Sequence, residues 1–194
     1  MESNLARKFE FEEESREEII GGRVVAMASP SLKHILIGGK LYRIFADYLD
    51  GKPCTAIPDG ATLFLEDDKE EYKPDMMVVC DEDKLQDDGV HGAPDLAIEI
   101  LSPSTGRYDK GRKKDAYEKH GVREYWIVSP EEKSIEQYVL EDGRFALRDV
   151  YALYPPFMLK RMKEAEKAAL VTEFQCALFD GLTIRLEDVF SGKK

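Results

Sequence analysis

A glutamate stands in the middle of the apolar run Leu96-Ala97-Ile98-Glu99-Ile100-Leu101. The run is short, bounded by Pro94 and Pro103, and reads as a buried strand. An ionised carboxylate in such a place is costly unless a cation, a partner or a hydrogen-bond network compensates it. A second acid, Asp75, follows Pro74 and opens another apolar run, Met76-Met77-Val78-Val79-Cys80. Just after Glu99 comes a basic stretch that carries Lys113. Two acids on neighbouring strands and a nearby lysine are the groups that a divalent metal and a hydrolytic water need.

Strand alternation puts Leu96, Ile98 and Ile100 on one face, and Ala97, Glu99 and Leu101 on the other. Asp75 comes close to Glu99 if the two strands pair, and antiparallel pairing across a long loop is allowed. Asp109, Lys113 and Tyr117 are spaced i, i+4, i+8 and share one helix face. A lysine there reaches over the mouth of the acidic site, where it orients or polarises water and stabilises charge in a phosphorane-like transition state. Plainer roles fit the same residues: Asp75 as a strand-start acid, Glu99 as partner to a core arginine, Lys113 as one of several solvated lysines.

These residues need elements to hold them. Glu12 to Ile20 suits a short helix ended by Gly21-Gly22, and Arg23 to Ala28 a strand. Ser29 to Ser31 suits a helix cap around Pro30. Leu32, Ile35, Leu36, Leu41, Ile44, Phe45 and Leu49 then recur at helical spacing, interrupted by Gly38-Gly39. Strands are expected near Cys54 to Ile57 and Ala61 to Leu65, then after Asp75, with Asp81 to Pro94 a polar loop. A helix fits Asp109 to His120, stopped by Gly121, and a strand Val122 to Val128. Ile135 to Leu140 and Arg144 to Val150 form a hairpin around Glu141-Asp142-Gly143. A helix over Met158 to Leu170 and a strand over Leu182 to Leu186 complete an α/β chain, a mixed sheet flanked by helices.

The 194 residues, 43% of them hydrophobic, suit one domain over residues 1–194. No apolar run approaches a membrane span, and the acidic N-terminal stretch lacks an apolar signal core. Cys54, Cys80 and Cys176 lie far apart, without zinc-ligand spacing, and read as buried free thiols. The expected location is therefore the cytoplasm. The net charge of −11 opposes non-specific nucleic-acid binding, but it is uneven. Glu66 to Asp88 holds 11 acids and 3 lysines, net −8, whereas Thr105 to Arg123 holds 7 Lys plus Arg against 3 acids, net +4. The alternative to a positive binding face is an ordinary solvated surface.

Several stretches together resemble the Uma-type family of restriction endonucleases, within the PD-(D/E)XK nuclease superfamily. They are Gly22-Arg23-Val24-Val25-Ala26-Met27-Ala28-Ser29-Pro30 with His34, Lys73-Pro74-Asp75-Met76-Met77-Val78-Val79, and the most specific, Gly92 to Thr105 around Glu99. Asp109, Lys113, Tyr117 and Gly121-Val122-Arg123-Glu124-Tyr125-Trp126-Ile127-Val128 extend the match. The resemblance implies a restriction-endonuclease-like fold that hydrolyses DNA phosphodiesters with Mg²⁺ or Mn²⁺. It maps Asp75 and Glu99 to metal ligands and makes Glu18, on the first helix, an additional acid. The superfamily's lysine usually stands two residues after the second acid, where this chain has Leu101. Here the lysine moves to the following helix as Lys113, while Lys114 points about 100° away. His34 matches a family histidine, as a structural residue near the acids. The substrate backbone is expected on Arg107, Lys110 and Arg112 beside Lys113. The partner is DNA, with no membrane, and a homodimer is compatible with the sequence. The alternative is a non-catalytic binding or assembly protein that keeps the nuclease fold.

Overall fold

The computed structural model describes residues 16–66, 69–102, 106 and 109–191. Its strands are β1 (Glu17–Ile20), β2 (Val24–Ala26), β3 (Thr55–Pro58), β4 (Thr62–Glu66), β5 (Glu70–Tyr72), β6 (Met76–Val79), β7 (Leu85–Gln86), β8 (Gly89–His91), β9 (Leu96–Ile100), β10 (Glu124–Ser129), β11 (Ser134–Glu141), β12 (Arg144–Ala152), β13 (Glu173–Gln175) and β14 (Thr183–Arg185). The helices are α1 (Leu32–Leu49), α2 (Lys114–His120), α3 (Pro156–Leu159), α4 (Glu164–Ala168) and α5 (Leu186–Phe190). A π-helical turn, Asp109–Lys113, leads into α2.

The central sheet runs β12-β11-β10-β9-β6-β3. β9 pairs parallel with β10 and antiparallel with β6, so the sheet is mixed. Its β6, β9 and β10 strands are buried on both faces, which explains their unbroken apolar character. On one face α1 packs Ile37, Leu41, Phe45 and Leu49 against Met76, Val78, Ile98 and Trp126. On the other face a second sheet, ordered β2-β1-β5-β4-β8-β7, meets Met77, Val79, Ala97 and Tyr125 together with α2. The β13-β14 hairpin and α5 close the α1 side.

Local chemistry sets the boundaries that matter. Ser31 caps α1, its Oγ accepting from the His34 N–H at 3.2 Å. Gly121 ends α2 at φ 86°, in the left-handed conformation that glycine adopts without penalty. Asp142 and Gly143 both have positive φ, as a tight hairpin turn between β11 and β12 requires.

Several expectations change. Glu17 to Ile20 form a strand, not a helix; residues 12–15 lie outside the described residues. Alternation places Glu18 and Ile20 inward, a pattern the acidic composition hides. The loop from Asp81 to Pro94 contains a 3₁₀ turn and two short strands. The helix expected over Met158 to Leu170 is two short helices, because Pro155-Pro156 sets an early start and Lys163 begins a new turn capped with Glu166. In α1 the buried stripe is Ile37, Leu41, Phe45 and Leu49, while Leu32, Ile35 and Leu36 stay exposed. Cys54 and Cys80, at the ends of paired β3 and β6, form a disulfide, and only Cys176 is a free buried thiol. The cysteines therefore lend no support to the cytoplasmic expectation. Among the described residues no helix is long and apolar enough to cross a membrane.

Candidate active site

Three chain segments deliver four charged side chains to one buried point. Glu99 comes from β9, Glu18 from β1, and Asp109 and Lys113 from the π-helical turn. Lys113 Nζ lies 2.8 Å from Glu18 Oε1, 3.3 Å from Glu99 Oε1 and 3.4 Å from Asp109 Oδ1. All four side chains are at most 3% exposed. The helical spacing read from sequence thus brings Asp109, Lys113 and Tyr117 together on one face. The lysine does not arch over the mouth of the site; it is enclosed by the acids.

Hydrogen bonds fix the carboxylates. Tyr117 OH donates to Glu99 Oε1 at 2.7 Å. The Lys73 backbone N–H donates to Glu18 Oε1 at 2.8 Å. Tyr125 OH donates to the Asp109 carbonyl at 3.0 Å, anchoring the π-helical turn against the sheet. Tyr117 and Tyr125 pack edge to face, with centroids 5.2 Å apart, beneath this cluster.

Asp75 stands immediately before β6. The β6–β9 register pairs Met76 with Ile98, and one further step sets Asp75 opposite Glu99. Asp75 ends the ladder with its side chain: Oδ2 accepts from the Ile100 N–H at 2.7 Å. Its Oδ1 lies 2.8 Å from His34 Nε2, which α1 projects from its first turn. Among the described residues, no three His, Cys, Asp or Glu side chains form a ready-made metal cluster.

Electrostatics follow from this crowding. Burial pushes the Glu99 carboxyl well above the usual carboxylate range; Lys113 pulls it down, while Asp109, Asp75 and Glu18 push it further up. Burial works against the Lys113 ammonium, but Glu99, Glu18 and Asp109 together hold it above the ordinary lysine value. Burial also opposes a charged His34, yet the Asp75 hydrogen bond and charge leave it raised. Three buried acids, Glu18, Glu99 and Asp109, therefore surround the Lys113 ammonium, while the buried Asp75 is paired with His34.

The basic residues expected on a DNA face separate. Lys113 is inside the cluster. Lys110 binds Glu136 at 2.5 Å, so much of its charge is offset. Arg112 is exposed and lines a surface groove with Arg23 and Lys119. Arg107 lies outside the described residues. Sequence reading missed Glu124, which is wholly buried on β10 and accepts from Trp126 Nε1 and Gln137 Nε2, both at 2.6 Å, and from the Ala177 and Leu178 amides. The signal was available: alternation turns Glu124, Trp126 and Val128 to the α1 side, away from Glu99. Glu124 joins the β13-β14 unit to the central sheet, outside the Lys113 cluster.

Residues 3–166 match the Uma2 family, whose description is "putative restriction endonuclease". The chain belongs to that family. An uncharacterized protein of Synechocystis sp. (strain ATCC 27184 / PCC 6803 / Kazusa) is 30% identical over 136 residues, 69% of this chain and 72% of the relative. A second uncharacterized protein of that strain is 25% identical over 126 residues, 63% of this chain and 71% of the relative. Among solved structures, a protein described as "a putative nuclease belonging to DUF820" from Anabaena variabilis ATCC 29413 superposes with a TM-score of 0.64. It is 18% identical and covers 92% of this chain and 91% of that one, a likeness of fold. The Uma2 chain described here is thus a mixed α/β protein with the fold of a nuclease relative.

Proposed function

We propose that this Uma2 protein is a metal-dependent endonuclease that hydrolyses DNA phosphodiester bonds. The observation that carries this reading is the meeting of Glu18, Glu99 and Asp109 on Lys113, with Asp75 opposite Glu99 across the strand pair. The donors suit the implied ion. Carboxylate oxygens are the ligands that Mg²⁺ and Mn²⁺ prefer, and three buried acids crowded on the one Lys113 ammonium leave negative charge that a dication relieves. Asp75 and Glu99 would hold it. Mg²⁺ commonly takes one or two carboxylates and keeps waters and substrate phosphate for its other positions, so a larger protein cage is not required. A bound ion would supply a water of lowered pKa and neutralise phosphate charge.

The chain's own residues do the rest. His34 and the Ile100 amide orient Asp75, while Tyr117 orients Glu99. Lys113 carries the positive charge that steadies a developing phosphorane, and Glu18 holds that ammonium in place. A second reading is a non-catalytic binding or assembly protein. The observation favouring it is Lys113 itself, 1% exposed and already ringed by carboxylates. A cleavage screen on plasmid and oligonucleotide DNA with Mg²⁺ and Mn²⁺, run beside Glu99→Ala, separates the two. Metal-dependent cleavage lost in the variant supports the enzyme; no cleavage by the wild type supports the second reading.

A further inference from the structure

We propose that the cavity between the first half of α1 and the ends of β3, β6 and β9 seats one unstacked nucleobase beside the scissile phosphodiester. The inference rests on the nuclease reading above and deepens it by naming the substrate class: nucleic acid that presents an unpaired base, single-stranded or flipped out of a duplex.

Position is the first argument. The cavity wall includes both Asp75 and Ile100, the residue whose amide fixes Asp75 and which directly follows Glu99. A group bound there borders Asp75 directly, the acid that stands opposite Glu99 across the β6–β9 pair. Size is the second. The cavity measures about 370 Å³, near the small end of the roughly 300–1,000 Å³ span of small-ligand pockets. It has room for one ring system and none for a stacked duplex.

Chemistry is the third. Tyr42, Pro30, Pro58 and Ile100 supply apolar walls, against which a flat ring stacks. The charged groups at the rim are paired, His34 Nε2 with Asp75 and Asp59 with Arg16, whereas the buried His34 Nδ1 has no hydrogen-bond partner among the described residues. No uncompensated cation lines this cavity to draw a phosphate inside. The carboxylates keep spare lone pairs for the N–H edge of a base.

The helix supplies the fourth argument. Gly38 and Gly39 sit inside α1, where glycine weakens a helix relative to alanine. A Cβ on Gly39 would meet nothing within 4 Å, so packing does not demand glycine there. A Cβ on Gly38 would reach Ile100 Cδ1 at 3.4 Å, an ordinary contact. Both glycines line the cavity, so neither position puts a side chain on that wall. Helix stability is given up at the two positions that keep this wall open.

The test compares two labelled single strands of equal length and charge, one carrying bases and one made of abasic residues. Binding is read by anisotropy with Ca²⁺ in place of Mg²⁺. Wild type should bind the base-bearing strand about 10-fold more tightly, the contribution of one stacked base. Gly39→Leu, which fills the cavity, should bind both strands alike at the weaker level, while melting at the same or a higher temperature because leucine favours a helix. Equal affinity of wild type for both strands overturns the base pocket and leaves the nuclease reading standing. A preference for bases that survives in Gly39→Leu also overturns it. If wild type binds neither strand nor duplex DNA, the nuclease reading and the pocket fall together. The wild-type comparison needs no variant, so it decides the matter even if Gly39→Leu fails to fold.

Discussion

Lys113 Nζ lies 2.8 Å from Glu18 Oε1, and this one contact ties the first strand of the outer sheet to the turn that precedes α2. The same ammonium touches Glu99 on the central sheet. Three layers of the fold thus meet at a single positive charge. A lysine in that position is at once a structural clamp and, among the described residues, the sole buried ammonium. Its removal and its chemistry are therefore separable only by choosing the pH and the metal.

Lys113→Met should destabilise the protein by about 3–5 kcal/mol at pH 8, because it leaves buried carboxylates without a counter-charge. The loss should shrink at pH 5. Burial already raises the Glu99 pKa above its unfolded value, so the folded state holds more protons than the unfolded chain once pH exceeds the unfolded pKa. Stability then falls as pH rises, and removing Lys113 steepens that fall. Urea unfolding of both proteins at the two pH values measures the difference. Equal losses at pH 5 and pH 8 would mean that the acids do not drive it.

Glu99→Gln should behave in the opposite way in metal-free buffer. It deletes the carboxylate that burial and Asp109, Asp75 and Glu18 destabilise, while Glu18 and Asp109 still neutralise Lys113. Its melting temperature at pH 8 should equal or exceed that of wild type, and the difference should disappear near the unfolded Glu pKa of about 4.3. Millimolar Mg²⁺ or Mn²⁺ should raise the melting temperature of wild type by mass action and leave Glu99→Gln and Asp75→Asn unmoved. Calorimetry is the better binding readout than indole fluorescence, since Trp126 packs on the α1 face with Phe45 and Phe174. Stabilisation of all three proteins alike would remove Asp75 and Glu99 from the metal site.

Glu124→Gln is the contrasting case. Glu124 is as buried as Glu99, but its oxygens accept from Trp126, Gln137 and two backbone amides. An amide nitrogen in place of one oxygen would face donors, so the variant should lose about 2–3 kcal/mol. It should keep the metal response of wild type, because the network lies on the other face of the sheet. A lost metal response with retained folding would show that the two faces are coupled.

The acids were legible in the sequence because each breaks a local rule. Glu99 interrupts an apolar strand and Asp75 opens one, and strand alternation assigned the faces of Leu96 to Leu101 correctly. Asp109, Lys113 and Tyr117 were legible through helical spacing, although the first turn is π-helical. Glu18 came from the family resemblance alone; it does reach Lys113, but its element was misread. Glu17-Glu18-Ile19-Ile20 is too short for a period to declare itself, and its strand state comes from pairing with β2 and β5. The Cys54–Cys80 pairing likewise depends on the β3–β6 register, which no local pattern encodes. The enclosure of Lys113 was invisible for the same reason: burial of a long cation is decided by partners from distant segments.

The basic surface gives the last prediction. If DNA runs along the segment before α2, its affinity should fall with salt in proportion to the phosphates neutralised. Arg112 is exposed and has no ion-pair partner among the described residues, so its charge is available. Lys110 is held by Glu136, and a phosphate would have to compete for it. Arg112→Gln should therefore weaken binding for all sequences alike and flatten the slope of log affinity against log salt by about one unit. Lys110→Gln should change the slope by much less, and Glu136→Gln should steepen it by releasing Lys110. Anisotropy titrations of one labelled duplex across a salt series, with Ca²⁺ replacing Mg²⁺, measure all three. An Arg112→Gln slope identical to wild type would move the DNA path away from this turn, because a phosphate contact cannot be lost without changing the number of ions released.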